Sequence, residues 1–380
     1  MIRLAALLAC SALCGASQQA PYKDARESPA TFAAPGRDQP EPADIQDVAI
    51  GYYGPSDAAH PEGGILWQGA TLAIEEANRA GGYKGKPFRL VAAWSENPWR
   101  GGAAQITRMA FVDRVWLIIG SIEGAGTHLA EQVVAKALLP LVNPVATDRT
   151  IHMAGVPWMF SIVQGDDLHS AVLARALHGR SLVILSATDH DSRAFAGYLK
   201  PACARENSRI ALQLEFEPGR PDLSSLIHDA LDARPDAVAV IAGIRDSARL
   251  VSLLAGGGFS GMIAGGPLFG RAAFAVEAGS AAEGAWFPWV GEPATSFRQS
   301  FAARFGRQPD YAAASAYDAV RVAVAAIRKA GLNRARIRDA IAGLPPFEGA
   351  SGRIEWDTFG QNRRAPVLAI IRAGEPARLP

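Results

Sequence analysis

Three glycines fall within seven residues at Gly120–Gly126 (GSIEGAG), between the apolar run Val115–Ile119 and an amphipathic stretch that opens at Thr127. A glycine turn between a strand and a helix leaves backbone N–H groups free at Gly124, Ala125 and Gly126. Next to a helix N-terminus, such groups can hold an anion or a carbonyl oxygen. Ser121 and Thr127 bring hydroxyls to the same loop, and Glu123 brings a carboxylate. A second turn, Val145-Ala146-Thr147, follows the apolar run Leu138–Val142. In an open parallel sheet, such turns lie side by side beyond the carboxyl ends of the strands, where small ligands bind. The stretch Trp116–Thr147 therefore reads as one wall of a ligand cleft.

Other candidates stand at the ends of other strands. Trp94 closes Phe88–Trp94 and can supply an aromatic wall or pack under the loop. Asp191 closes the polar turn Ala187–Asp191 and can touch a ligand from the opposite side. The run Asp189-His190-Asp191 lacks the spaced partners of a metal site, so no metal is expected. Arg245 follows the strand that ends near Gly243; it pairs with a ligand carboxylate or starts a helix in solvent. His128 reads as a solvated or capping residue. Catalytic chemistry finds no support: there is no defensible Ser–His–Asp set and no paired cysteines. Gly-Ser-Ile-Glu-Gly lacks both the lysine of a P-loop and the spacing of a dinucleotide fingerprint. We expect a binding protein without a cofactor, not an enzyme.

The elements that carry these turns alternate. Strands are expected at Asp47–Tyr53, Phe88–Trp94 and Val115–Ile119, with helices between them, including Ile65–Arg79. After a short strand, Trp158–Val163, the same alternation restarts. Strands at Leu182–Leu185, Ile210–Glu217, Ala237–Ile241 and Met262–Ala264 are separated by helices of ten to fifteen residues. This is the grammar of right-handed βαβ units. A crossing strand (Glu283–Val290), three late helices from Ser296 to Ala342 and two closing strands (Gly352–Trp356, Val367–Ile371) complete the chain. At 380 residues the chain is too long for one ordinary core, so two lobes are expected. Late elements that need earlier partners imply several crossings between them, hence a hinge. The net charge of +1, with basic residues scattered, gives no nucleic-acid surface.

The N-terminus reads as a targeting segment. Arg3 precedes the apolar Leu4–Leu13, and small residues follow, so a signal peptide is expected over 1–17. No other run reaches membrane-spanning length. Two outcomes are open for the exported chain: a lipid anchor through Cys14 or Cys10, or plain secretion. Cys203 is then the one remaining cysteine, which rules out an intramolecular disulfide in the processed chain. Residues 18–44, rich in Pro, Ala, Gln and charge, are expected to form a disordered tether.

Five stretches resemble the leucine/isoleucine/valine-binding protein family, the type I periplasmic binding proteins of ABC transporters. They are IEEANRAGGYKGKPFRLV (Ile74–Val91), WLIIGSIEGAGT, LPLVNPVAT, YAAASAYDAVRVAVAAIRKAG and FEGASGRIEWDTFGQ. They span roughly residues 45–375 in the family's order. The resemblance implies an α/β chain of two Rossmann-like lobes joined by three crossovers. One lobe would hold 45–163 and 292–345, the other 164–291 and 346–380. It implies capture of a small solute between the lobes and delivery to a permease. In the family, the positions matching Gly124 and Ala125, then Val145, Ala146 and Thr147, hold an amino acid's α-carboxylate and α-amino group. The family's acidic partner for the ammonium falls here on Leu268 or a neighbour, with no carboxylate nearby. A buried ammonium without a counter-charge costs several kcal/mol. The expected ligand is therefore small and partly apolar rather than a free amino acid, unless Glu123 replaces the missing acid.

The expected function is that of a monomeric, periplasmic solute-binding protein feeding an ABC importer of the branched-chain amino acid type. Two alternatives share the fold: a ligand-sensing receptor or regulator, and a carrier of an aromatic or lipid-like molecule.

Overall fold

A computed structural model describes residues 32–379. The expected signal peptide, Cys10, Cys14 and the first part of the expected tether lie outside the described residues. The first lobe is built from β1 (Val48–Tyr53), α1 (Gly64–Arg79), β2 (Phe88–Ala93), α2 (Ala103–Phe111), β3 (Ile118–Gly120), α3 (Gly124–Ala137), β4 (Leu141–Asn143) and β5 (Met159–Ser161). Its sheet is parallel, in the order β2-β1-β3-β4-β5. Every residue of β1 is buried, as a strand covered on both faces by helices requires.

The second lobe continues with α4 (Asp166–Ala176), β6 (Ser181–Ala187), α5 (His190–Arg205), β7 (Arg209–Phe216), α6 (Ser224–Asp232) and β8 (Ala237–Ile241). It is completed by α7 (Ile244–Gly256), β9 (Met262–Gly265), α8 (Ala272–Ala278) and β10 (Trp286–Trp289). Its parallel strands run β7-β6-β8-β9-β10, so both lobes use one topology. In each, strand order reverses beside the first strand, between β1 and β3 and between β6 and β8. A crevice opens at such a reversal because the helices on either side leave in opposite directions.

The chain then returns to the first lobe through α9 (Thr295–Phe305), α10 (Tyr311–Ala330) and α11 (Arg334–Ala342), followed by a hairpin of β11 (Phe347–Gly349) and β12 (Gly352–Ile354). It ends in the second lobe with β13 (Val367–Arg372) and β14 (Glu375–Arg378), both antiparallel additions beyond β10. Helices α1 and α10 approach so closely that a Cβ on Gly69 would lie 2.1 Å from the Ala313 carbonyl oxygen.

Polar side chains staple the crossings to one another. Asn362 Nδ2 donates to the Ile162 carbonyl (2.6 Å), Gln361 Nε2 donates to the Val163 carbonyl (2.8 Å), and Arg364 donates to the Val290 carbonyl. One apolar cluster runs through the junction. It includes Leu66 from α1 and Tyr311 from α10 on the first-lobe side, and Phe269, Phe274 and Phe287 from the second lobe.

The structure corrects several expectations. Residues 32–44 do not hang free. Ala34 is buried, the Phe32 ring meets the edge of Trp158 with centroids 6.0 Å apart, and Glu41 accepts from the Tyr83 hydroxyl (2.6 Å). Gly36 also accepts from Asn333 Nδ2 (2.9 Å). The strand expected at Gly352–Trp356, placed with 346–380 in the second lobe, packs in the first, where Ile354 shares a core with Val48 and Ile50. Helix α3 starts at Gly124, three residues before Thr127, because Glu123 is still extended (φ −152°). Helix α5 starts at His190, inside the expected turn, because Asp189 caps it and accepts from the Ser192 N–H (2.9 Å). Helix α8 and strands β11 and β14 were not expected.

Candidate functional site

A cavity of about 390 Å³ lies between the lobes, beyond the carboxyl ends of both sheets. The first lobe contributes Glu62 from the loop after β1, Ile122, Glu123 and Ala125 after β3, and Val145, Ala146 and Thr147 after β4. The second contributes Asp189, His190 and Asp191 after β6, Ala242 and Arg245 after β8, and Leu268, Phe269 and Arg271 after β9. These are the crevices of the two strand-order reversals, set face to face. The volume suits a small molecule of several to a dozen heavy atoms, and the wall is partly apolar, as small-molecule sites are.

Of the residues singled out from the sequence, Glu123, Ala125, Val145, Ala146, Thr147, Asp191, Arg245 and Leu268 line this cavity. The other four do not. Trp94 tilts against Tyr53 with centroids 5.2 Å apart and donates Nε1–H to Glu96 (3.1 Å). It follows β2, the edge strand, one strand away from the reversal. Ser121 and Thr127 are buried inside the loop. Both hydroxyls donate to the Glu123 carbonyl, at 2.8 and 2.7 Å, and so set the shape of the turn rather than face a ligand. The turn is tight enough to require glycine at its start: Gly120 has φ +154°, and a Cβ there would lie 2.5 Å from the Tyr53 carbonyl oxygen.

Gly124 is the most informative of the four. Its N–H donates across the gap to the Asp191 carboxylate, at 2.8 Å to Oδ2 and 3.0 Å to Oδ1. The N–H expected to be free for a ligand's anion or carbonyl oxygen is instead taken by the protein's own carboxylate. Burial pushes Asp191 up to about 6 despite the donated N–H.

Glu123, on the same wall, is pushed up to about 7 by burial first and by the charge of Asp191 second. Its folded value therefore lies above its ordinary 4.5. The stability linked to it is complete below about pH 4.5 and is lost as pH rises through about 7. Glu123→Gln, neutral throughout, should gain on the wild type across that interval by on the order of 1–2 kcal/mol after solvent screening. Melting temperatures of both proteins at pH 5 and pH 8 check this; parallel profiles would refute it.

Residues not anticipated complete the walls. Arg271 is buried and reaches across the lobes. Its Nε donates to Asp310 Oδ2 (2.8 Å) and its Nη2 to the Glu62 carbonyl (2.7 Å). Asp310 in turn caps α10, accepting from the Ala312 and Ala313 N–H groups. No local pattern marks Arg271, since its partners lie 39 and 209 residues away.

His128, expected to be solvated or capping, is half-buried and hydrogen-bonded to Asp148 at 3.0 Å. The bonds to Asp148 and Glu131 hold its imidazole up at about 9. Asp148 is opposed by burial, yet its bonds to His128 and His190 hold it well below the carboxylate range.

Comparison with known proteins bears on this arrangement. The profile of the periplasmic binding protein family matches residues 48–373. An amino acid binding protein of Pseudomonas aeruginosa is 23% identical over 188 residues, which are 48% of this chain and 50% of that one. The chain spans about half the length of the curated relatives it matches. Among solved structures, the isoleucine complex of the branched-chain amino acid transporter substrate-binding protein LivJ from Streptococcus pneumoniae superposes with a TM-score of 0.80 at 22% identity. That match covers 88% of this chain and all of that one. A solute-binding protein of an ABC transporter from Rhodopseudomonas palustris, in complex with benzoate, superposes with a TM-score of 0.75 at 15% identity. It covers 88% of this chain and 95% of that one. At these identities the structural likeness establishes the fold.

Proposed function

This chain belongs to the periplasmic binding protein family, and on that premise we propose that it captures a small, partly apolar solute between its lobes and delivers it unaltered to an ABC-type importer. The observation that carries this reading is the cavity itself: it forms where the ligand crevices of two identically wound sheets face each other. An exported protein, working as a monomer outside the cytoplasm and handing its ligand to a permease, fits the reading. No helix of the described residues is long and apolar enough to cross a membrane.

The walls favour a ligand other than a free α-amino acid. The N–H of Gly124 is already bonded to Asp191, so an incoming carboxylate meets an acid at that point rather than a free donor. Arg271 is held by Asp310 and the Glu62 carbonyl, which leaves the exposed Arg245 as the lining guanidinium without those ties. Glu123 and Asp191 instead offer acceptors beside the apolar Ile122, Val145 and Leu268. An apolar molecule with hydrogen-bond donors, such as an amide, an amine or an alcohol, fits that combination. One solved neighbour holds isoleucine and another benzoate, so the fold accepts ligands of different chemistry according to its loops.

A thermal-shift screen of the purified protein against amino acids, short carboxylates, amides, amines, aromatics and alcohols tests the reading. A specific ligand present at about 100 times its Kd adds about 2.7 kcal/mol of stability. Donor-bearing apolar compounds should give the largest shifts. Shifts with leucine or valine alone would overturn the ligand class, and no shift with any member would count against solute capture.

A further inference from the structure

Beside the cavity, three side chains from the two lobes converge in a way that solute capture does not use. His128 on α3 and Asp148 after β4 belong to the first lobe, and His190 opens α5 of the second. Both histidines point Nε2 at one oxygen, Asp148 Oδ2, from 3.0 Å and 2.7 Å. One potential ligand atom from each of the three lies within 4.8 Å of the others. We propose that His128, Asp148 and His190 form a binding site for a divalent transition metal, zinc being the best match, that bridges the two lobes.

The surroundings are those of a supported site. Behind His128, its Nδ1 lies 3.4 Å from the carboxylate of Glu131, which is 5% exposed. A carboxylate behind a ligating imidazole fixes the tautomer that frees Nε2 for the metal and raises its basicity. The Thr150 hydroxyl and N–H hold Asp148, at 2.7 and 2.8 Å to Oδ1, and the hydroxyl also lies 2.8 Å from His128 Nε2.

Two imidazoles and one carboxylate are donors that zinc accepts, and three protein ligands leave a fourth position for water or a solute. The charges suit a dication, since Asp148 and Glu131 supply two negative groups against two imidazoles. Without metal, protons join the imidazoles to the carboxylate, and the ion exchanges for them. Because His190 comes from the opposite lobe, an ion held by all three ligands opposes opening of the cleft.

The site stands on its own geometry and does not depend on which solute fills the cavity. The sequence concealed it because His190 and Asp148 are 42 residues apart and sit on different lobes.

The test is calorimetric titration of zinc chloride alone into the chelator-treated full chain. We expect one zinc per chain at micromolar Kd or tighter. His190→Ala should weaken binding at least about tenfold, as should His128→Gln, since even supporting residues of a metal site carry that much. The side chain of His190 is 41% exposed, so its loss leaves the fold intact. His228→Ala, on an exposed helical pair with Asp232, should bind as the wild type does. A wild-type Kd weaker than about 1 mM, or an unchanged Kd in His190→Ala, overturns the proposal.

Discussion

Replacing Arg271 with methionine should lower the free energy of unfolding by about 3 kcal/mol, the low end of the cost of breaking a buried ion pair by removing one partner. The Arg271 side chain is 4% exposed and that of Asp310 5%. Truncating the arginine removes two hydrogen bonds, one to Asp310 and one to the Glu62 carbonyl, and strands a buried charge. The low end applies because Asp310 keeps its bonds to the Ala312 and Ala313 N–H groups.

A control separates charge from packing. Asp310→Asn retains a capping oxygen, so the double variant Arg271→Met/Asp310→Asn should recover part of the loss, since no uncompensated charge remains. Urea denaturation followed by tryptophan fluorescence reads both effects. A change below about 1 kcal/mol in the single variant would place the pair among ordinary surface contacts. Because Arg271 holds two first-lobe groups from the second lobe, the same variant should also weaken solute binding.

The second large effect concerns the cavity. Ala125→Trp should weaken binding of the solute found by screening at least about 100-fold, or 2.8 kcal/mol. Ala125 lies in the first turn of α3 and lines the cavity, so an indole there projects into the volume the solute needs. Overpacking of this kind is destabilising when the surroundings cannot move. Here the solute gives way rather than the core, so the ligand-free variant should melt close to the wild type. Titration calorimetry of the two proteins decides the matter: equal affinities would put the solute outside this cavity, whatever the screen reports.

Much of the fold was legible in the chain. VAIGYY and AVAVI read as buried strands because a strand covered on both faces must be apolar throughout, and both are fully buried. The glycine turn at Gly120–Gly126 and the turn at Val145–Thr147 were placed at strand ends by the short apolar runs that precede them. Eight of the candidate residues line one cavity because a parallel sheet delivers all its βα turns to the same end.

The failures are equally specific. Trp94 was misplaced because a strand's rank in the sheet is not written in its period, and β2 lies at the edge. Residues 32–44 have no apolar repeat, yet they dock through single contacts such as Glu41 with Tyr83. Asp191 was placed across the cleft, but its bond to the Gly124 N–H, 67 residues away, was not foreseen.

The chain by itself determined the alternation of strand and helix, the division into two lobes and the end of each sheet that faces the cavity. These follow from short-range periodicity and turn chemistry, which each segment carries in its own residues. Only the tertiary structure decided which turns confront one another: Gly124 with Asp191, Asp148 with His190, and Arg271 with Asp310 and Glu62. Those pairings depend on how two separately wound sheets are held across the three crossings, and no local pattern encodes that distance or angle.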